Sequence, residues 1–279
     1  MVRSVACVVA VVLLLCGWGA PASAAGPDGP ALVHRGDWYL RTSPSGGPAQ
    51  SAFRYGTGGD LPVMGDWDGD GRETVGVVRT LPGGGYRWLL RNSNSAGPAE
   101  VSFDYGAQRI VTGDRLGSIP VAGNFDPSDA AAEVGIVYVE PNGSLTWAIR
   151  GERRFSFGRA TDRPIWGDWD GDGADTPGVV RDGNRWLLSD ARGGSASRAF
   201  TFGSPAGDLP VPGDWNGDGV DTPGVVRNDP PSQGNGGYDI WLVRNSSTSG
   251  PADRSFRFGS DALAPDLPLE NVPRLRFRA

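Results

Sequence analysis

Lysine is absent from this chain of 279 residues, histidine occurs once and cysteine only twice. Both cysteines, Cys7 and Cys16, fall in the first segment, so a chain cleaved beyond them has no disulfide, no thiol nucleophile and no cysteine zinc ligand. With His34 as the single histidine, a Ser-His-Asp triad or a histidine metal site is excluded as a working expectation. There is no Gly-x-Ser-x-Gly elbow, no phosphate-binding loop and no dinucleotide fingerprint. All 26 basic residues are arginine, set against 32 acidic ones, for a net charge of −6. The sequence contains no basic run, so nucleic acid is not expected as a partner. A sustained helical period is also missing, which leaves an all-β reading.

One long apolar run is present. Val5 to Leu15 follows the basic Arg3 and precedes Pro21 and the small residues Ala22-Ser23-Ala24. This is the n-region, h-region and cleavage pattern of a signal peptide over 1–24, with cleavage after Ala24. The run is too short for a permanent membrane anchor. Lipid attachment at Cys16 is the rival reading, disfavoured by Leu15 where a small residue is wanted. The expected product is secreted, starts with a flexible stretch over 25–33, and continues as one domain over 34–279. No other run is long enough to span a membrane, and an exported domain without disulfides needs another staple, for which metal ions are the obvious choice.

Glycine (44) and proline (23) are abundant, but the aromatic residues recur in fixed order, against low complexity. A Trp in a short apolar strand appears at Trp38, Trp88, Trp147, Trp186 and Trp241. An aromatic-x-aromatic-Gly strand end follows each, from Phe53, Phe103, Phe155, Phe200 and Phe256. A strand-opening proline appears at Pro62, Pro120, Pro164, Pro210 and Pro268. One unit therefore reads as four short strands: Pro-Val-x-Gly-Asp-Trp, Gly-Val-Val-Arg, Trp-Leu-Leu-Arg and Phe-x-Phe-Gly. Four strands in roughly 45 to 58 residues is the arithmetic of a propeller blade. The expected fold is an all-β, five-bladed β-propeller with repeats at about 62–106, 120–158, 164–203 and 210–259. Residues 34–56 begin at a third strand, and 266–279 supply a Pro-initiated first strand and a second. Together they complete the fifth blade and leave no unpaired edge.

The loops after the first strands carry the chemistry. Asp66, Asp68 and Asp70 occupy positions 1, 3 and 5 of a turn curled by Gly69 and Gly71. Asp168, Asp170, Asp172 and Asp214, Asn216, Asp218 repeat the pattern. Alternate carboxylates on so tight a backbone converge, and a hard, oxygen-preferring cation neutralises them. Calcium is the expected ion, at about three sites. The carbonyls of Arg72, Ala174 and Val220 at position 7 are natural further ligands. An EF-hand is a poor reading, because position 12 is Val77, Val179 or Val225 instead of Glu. The second repeat reads Asn124-Phe125-Asp126-Pro127-Ser128-Asp129, and its loop is expected to hold no ion.

From about residue 34 onward these motifs resemble the FG-GAP and VCBS repeats of integrin-like β-propellers. That resemblance implies calcium held by Asp-x-Asp-x-Asp-Gly loops between strands. The chain departs from the family pattern at position 9, where Thr74, Thr176 and Thr222 stand in place of a carboxylate. The acid falls one place earlier, at Glu73, Asp175 and Asp221. The last ligand is thus open among the Thr hydroxyl, a water and the shifted acid, with affinity toward the weak extracellular range of roughly 10⁻⁴ to 10⁻³ M.

Other residues have plainer readings. The strand-three tryptophans are expected to pack between blades, whereas Trp67, Trp169 and Trp215 in the loops are candidates for stacking on a ligand. Arg35-Gly36-Asp37 spells an integrin-recognition tripeptide at a strand start. Asp60, Asp162, Asp208 and Asp266, two residues before a strand-one proline, suggest turn-closing hydrogen bonds. The functional expectation is a monomeric, non-enzymatic module that binds glycan or extracellular protein. The alternative is a secreted glycoside hydrolase, which needs only two carboxylates, drawn from unrepeated acids such as Asp114, Glu140 or Glu152.

Overall fold

Short apolar runs bounded by Gly, Asn and Asp turns can bury a face only by pairing with their sequence neighbours, and each repeat does so as an antiparallel meander. The structure is a computed structural model that describes residues 26–111, 115–229, 238–260 and 274–277. Five four-stranded antiparallel sheets form a ring, a five-bladed β-propeller, with no helix among the described residues. Blade 2 comprises Leu61–Gly65, Thr74–Thr80, Gly85–Leu90 and Val101–Ala107. Blade 3 comprises Ser118–Gly123, Glu133–Val139, Ser144–Ile149 and Phe155–Arg159. Blade 4 comprises Arg163–Gly167, Thr176–Arg181, Arg185–Leu188 and Arg198–Thr201. Blade 5 comprises Leu209–Pro210, Gly224–Asp229, Tyr238–Val243 and Arg254–Ser260.

Blade 1 joins the two ends of the chain, but the division differs from the expected one. Its first strand is Arg274–Phe277, and the N-terminal side supplies the other three, Gly29–His34, Asp37–Leu40 and Ser51–Arg54. The stretch 25–33 is therefore not a flexible lead-in from Gly29 onward, since Ala31, Leu32 and Val33 are buried strand. Gly29-Pro30-Ala31-Leu32-Val33 lacks the Thr-Pro-Gly-Val-Val signature, yet its register against Arg274–Phe277 and Asp37–Leu40 is that of a second strand. Pro268 and Asp266 lie outside the described residues.

Each strand-three Trp is the pivot of its blade. Trp38, Trp88, Trp147, Trp186 and Trp241 are all fully buried. Their indole N–H groups donate to the carbonyls of Tyr55, Tyr105, Phe157, Phe202 and Phe258 at 2.9–3.1 Å. Their rings stack on Phe53, Phe103, Phe155, Phe200 and Phe256, with interplanar angles between 3° and 12°. Five apolar clusters result, and each spans two neighbouring blades. Trp38 packs with Val77, Trp88 with Ile136, Trp147 with Val179 and Trp186 with Val225. Trp241 packs with Leu32, which closes the circle.

The connections between blades are tied by charge. Asp60, Asp162 and Asp208 accept a local amide, from Thr57, Arg159 and Ser204, as the sequence position suggested. Each also receives a two-bond guanidinium fork at 2.8–2.9 Å, from Arg79, Arg181 and Arg227 at the ends of the second strands. Such planar, bidentate pairing is the strong form of an ion pair. Burial pushes the Asp60 carboxyl up, but Arg79 and the Thr57 amide outweigh it and hold the group below the usual carboxylate range.

Two outcomes follow from this packing. Trp186→Ala should cost about 3–5 kcal/mol, the price of emptying a large buried aromatic site, whereas Trp186→Phe should cost clearly less; urea-unfolding midpoints read the difference. Because the Asp60 carboxyl titrates lower in the folded than in the unfolded chain, its contribution is complete above about pH 4. It is lost as pH falls through the folded value, so Asp60→Asn should flatten the acid limb of a stability–pH curve.

Candidate metal centres and central cavity

The three Asp-rich loops share one construction. The position-1 carboxylate is folded back on its own loop. Asp66 accepts the amides of Gly69, Asp70 and Gly71 at 2.8, 3.1 and 2.8 Å. Asp168 takes Gly171, Asp172 and Gly173 at 2.7, 3.2 and 2.8 Å, and Asp214 takes Gly217, Asp218 and Gly219 at 2.7, 3.1 and 2.8 Å. That curl requires the left-handed φ of 74° at Gly69 and 88° at Gly71, which glycine adopts without strain. The position-5 carboxylates of Asp70, Asp172 and Asp218 then accept the amides of Arg72, Ala174 and Val220.

This backbone scaffold brings the acids together. One oxygen each from Asp66, Asp68 and Asp70 lie within 4.8 Å of one another, and the same holds for Asp168, Asp170 and Asp172. In the third loop Asn216 replaces the central acid, and its amide donates to Asp218 at 2.8 Å. Burial pushes the Asp66 and Asp168 carboxyls up in spite of their amide donors, and the neighbouring Asp70, or Asp172 and Asp170, add to the rise. The donor set is all oxygen, hard and partly open to solvent, the kind that suits calcium. Thr74, Thr176 and Thr222 turn their hydroxyls to the carbonyls of Gly65, Gly167 and Gly213 at 3.3–3.4 Å.

In blade 3 the loop is rebuilt. Glu133 supplies the carboxylate that accepts the amides of Phe125 and Asp126, at 2.7 and 2.8 Å. Asp126 and Asp129 cap the amides of Ser128 and Ala131.

The shifted acid at position 8 serves the neighbouring blade. Asp221 of blade 5 accepts the Asp168 amide of blade 4 at 3.0 Å, while its own amide donates to the Asp168 carbonyl at 2.7 Å. Asp175 pairs in the same two-way manner with Asn124 of blade 3, at 2.9 and 2.6 Å. Asp28, fully buried, pairs with Asp214 at 2.9 and 2.7 Å. At the corresponding place in blade 3 Ala132 keeps only the backbone half, donating to the Asp66 carbonyl at 2.6 Å. Within a single repeat Asp175 and Asp221 stand where a last metal ligand could be drawn from, but both are engaged by the neighbouring blade. The regular acid just before the second strand was the available signal, but its partner lies in another repeat and was invisible.

The loop tryptophans are corrected from ligand platforms to core. Trp169 and Trp215 are 2% and 1% exposed, and Trp67 is half-buried. Their indoles donate to the carbonyls of Thr74, Thr176 and Thr222. Each ring lies over the glycine of Gly-Val-Val in its own blade, where a Cβ on Gly76, Gly178 or Gly224 would come within 2.7–3.1 Å of it. The ring fills the space that the absent side chain leaves. The tripeptide Arg35-Gly36-Asp37 forms a tight hairpin turn, with φ of 50° and 88° at its first two residues. Arg54 grips the Asp37 carboxylate through two bonds at 2.8 Å.

First strands line a cavity of about 240 Å³ on the ring's axis. Pro62, Pro120, Pro164 and Pro210 come from four blades, with Val63, Ile165, Val211 and the unrepeated Trp166 between them. Glu73 is the one carboxylate among the described residues that line it. Glu140 and Glu152 are not part of that lining and pair with Arg109 and Arg192. Asp114 lies outside the described residues. A second cavity, of about 270 Å³, is walled by the loops themselves and lined by Asp66, Glu73, Asp168, Asp175 and Asp221. One end of the propeller is thus strongly acidic. No helix of the described residues is long and apolar enough to cross a membrane. Comparison with protein-family models, with curated proteins and with solved structures gives no match for this chain.

Removing one inter-blade carboxylate should be felt even without metal. Asp221→Ala leaves the part-buried Asp168 amide without its acceptor and should cost about 1–3 kcal/mol. Asp170→Ala in the exposed part of the loop should cost far less. Thermal unfolding in chelator compares the two.

Proposed function

We propose that this chain is a secreted, calcium-binding β-propeller that acts as a non-enzymatic binding module for glycan or extracellular protein. The observation that carries the reading is the convergence of the position-1, -3 and -5 oxygens in two loops of separate blades, with a third loop of the same backbone. Carboxylates packed this closely and partly withdrawn from water repel one another, and a bound divalent ion removes the repulsion. Asp66, Asp68, Asp70 and Asp168, Asp170, Asp172 would hold the first two ions and Asp214, Asn216, Asp218 the third. The carbonyls of Arg72, Ala174 and Val220 would complete each set with water. The FG-GAP and VCBS resemblance supports the same assignment. The Thr hydroxyls and the position-8 acids Asp175 and Asp221 are committed elsewhere, which favours water as the remaining ligand in those loops and a weak, extracellular affinity.

A binding role is supported by the site inventory. Among the described residues the axial cavity has an apolar wall and one carboxylate, where a retaining or inverting glycosidase needs two flanking the scissile bond. The signal-peptide pattern at 1–24 supports export, and a rigid ring without disulfides would draw on calcium for durability outside the cell.

The test is calorimetric. Ions bound only by the folded chain raise its melting temperature by mass action, so calcium should raise it and chelator lower it. Asp168→Ala should shrink that response, while Asp126→Ala in the rebuilt blade-3 loop should leave it nearly intact. Equal effects of the two variants would defeat the assignment, and a glycan array screened with and without chelator tests the binding role.

A further inference from the structure

Blade 3 breaks the repeat in several places at once, and the breaks meet on one seam. Where blades 2, 4 and 5 place the Arg of the Asp–Arg clasp, blade 3 has Tyr138, and where they place the Asp it has Ser118. The Ser118 hydroxyl instead bonds Tyr86 and accepts the Arg109 amide, while the Tyr138 hydroxyl accepts the amide of Ala107. The closing of the ring explains none of these changes, because blades 2, 4 and 5 join their neighbours with the Asp–Arg clasp intact.

The altered junction gathers guanidinium groups along the outer strand of blade 2. Arg150 lies 4.4 Å over the Phe103 ring, which itself stacks on Trp88. Arg109 and Arg154 lie 4.1 and 5.8 Å from the centre of the Tyr138 ring, beside Ala107. From Phe103 to Ala107 an extended strand covers about 13 Å, so the cations form a row. Arg153, in the same turn as Arg150 and Arg154, is also exposed. Arg109 is paired with Glu140 at 3.1 Å, but Arg150, Arg153 and Arg154 have no carboxylate within ion-pair distance among the described residues. A chain of net charge −6 thus places two unpaired, exposed cations, Arg150 and Arg154, on aromatic faces. Arg150, Arg153 and Arg154 come from the single turn between the third and fourth strands of blade 3, and Arg109 joins them from the blade 2–3 connection.

We propose that the seam between blades 2 and 3 binds an extended anionic glycan, its carboxylate or sulfate groups spaced along the arginine row. This rests on the binding-module reading and names its ligand class. Guanidinium suits it, with planar donors that match carboxylate and sulfate and remain charged at any physiological pH. Among the described residues Val101 is the one exposed large hydrophobic, so the outer surface gives peptide side chains little to grip. The acidic loop end of the ring would repel a polyanion that strayed from the seam.

The test measures binding of polygalacturonate, dextran sulfate and neutral dextran to the calcium-loaded full chain, with Arg150→Gln/Arg154→Gln as the variant and Arg54→Gln on blade 1 as the control. Expected is binding of one or both acidic polymers and none of neutral dextran. The double variant should weaken that binding about tenfold or more, the worth of one or two charge-assisted contacts, and the control should not. Unchanged melting temperatures show that the loss is of contacts and not of fold. A preference for polygalacturonate identifies carboxylate as the partner group, and one for dextran sulfate identifies sulfate. Binding that survives the double variant, or that goes equally to DNA or poly-glutamate, would overturn the assignment. Hits on the glycan array confined to neutral sugars would also overturn it, while leaving the binding-module reading standing. No hit of any kind would remove both.

Discussion

The ring depends on one constraint: no blade can bury its own aromatic face. Each Trp–Phe stack leaves an apolar surface that only the next blade's second strand covers, through Val77, Ile136, Val179, Val225 and Leu32 in turn. Stability is therefore a property of junctions, as in other repeat arrays where neighbours supply most of each other's burial. An open array would leave one such face in water. Closing the circle through blade 1 removes that exposed face and the free sheet edge together.

Charge follows the same logic as packing. The Asp–Arg forks secure the connections at one end of the blades, and the position-8 acids secure the loops at the other. In both cases a buried carboxylate is satisfied in part by groups outside its own loop. Such carboxylates are costly when any partner is lost, because the desolvation has already been incurred. This is why acids that look like spare metal ligands in a single repeat turn out to be fasteners in the assembled ring.

Periodic features were legible in the sequence and relational ones were not. Trp38 to Trp241, the Phe-x-Phe-Gly ends and the strand-one prolines fixed blade number and strand order, because each mark reports a local pattern repeated five times. The second strand of blade 1 escaped notice because Gly29-Pro30-Ala31 shares burial with its counterparts but not residue types. Trp67, Trp169 and Trp215 looked exposed because they sit among aspartates. Their burial depends on a glycine nine residues later in a paired strand, visible only once register is known. The arginine row of the blade 2–3 seam is a third instance, with members drawn from positions 109, 150 and 154.

The position-1 aspartate links the metal question to the ring itself. Its side chain organises the loop amides, while its own backbone amide and carbonyl are held by the acid of the next blade. A cation drawn to Asp168 or Asp214 would therefore settle on a residue that already forms the junction. Its charge would offset the crowding of carboxylates from two blades, since Asp168, Asp175 and Asp221 line the same loop cavity. Loading a loop would accordingly stiffen a seam as well as a turn. Blade 3 stands apart in this respect: Glu133 and Ala132 replace the acidic loop and half of the clasp, and at its junction with blade 2 the cations Arg150 and Arg154 lie on aromatic rings without an ion pair. A repeat protein that keeps the Asp–Arg clasp in blades 2, 4 and 5 and drops it in blade 3 has separated residues that hold the ring from those that are free to meet something else.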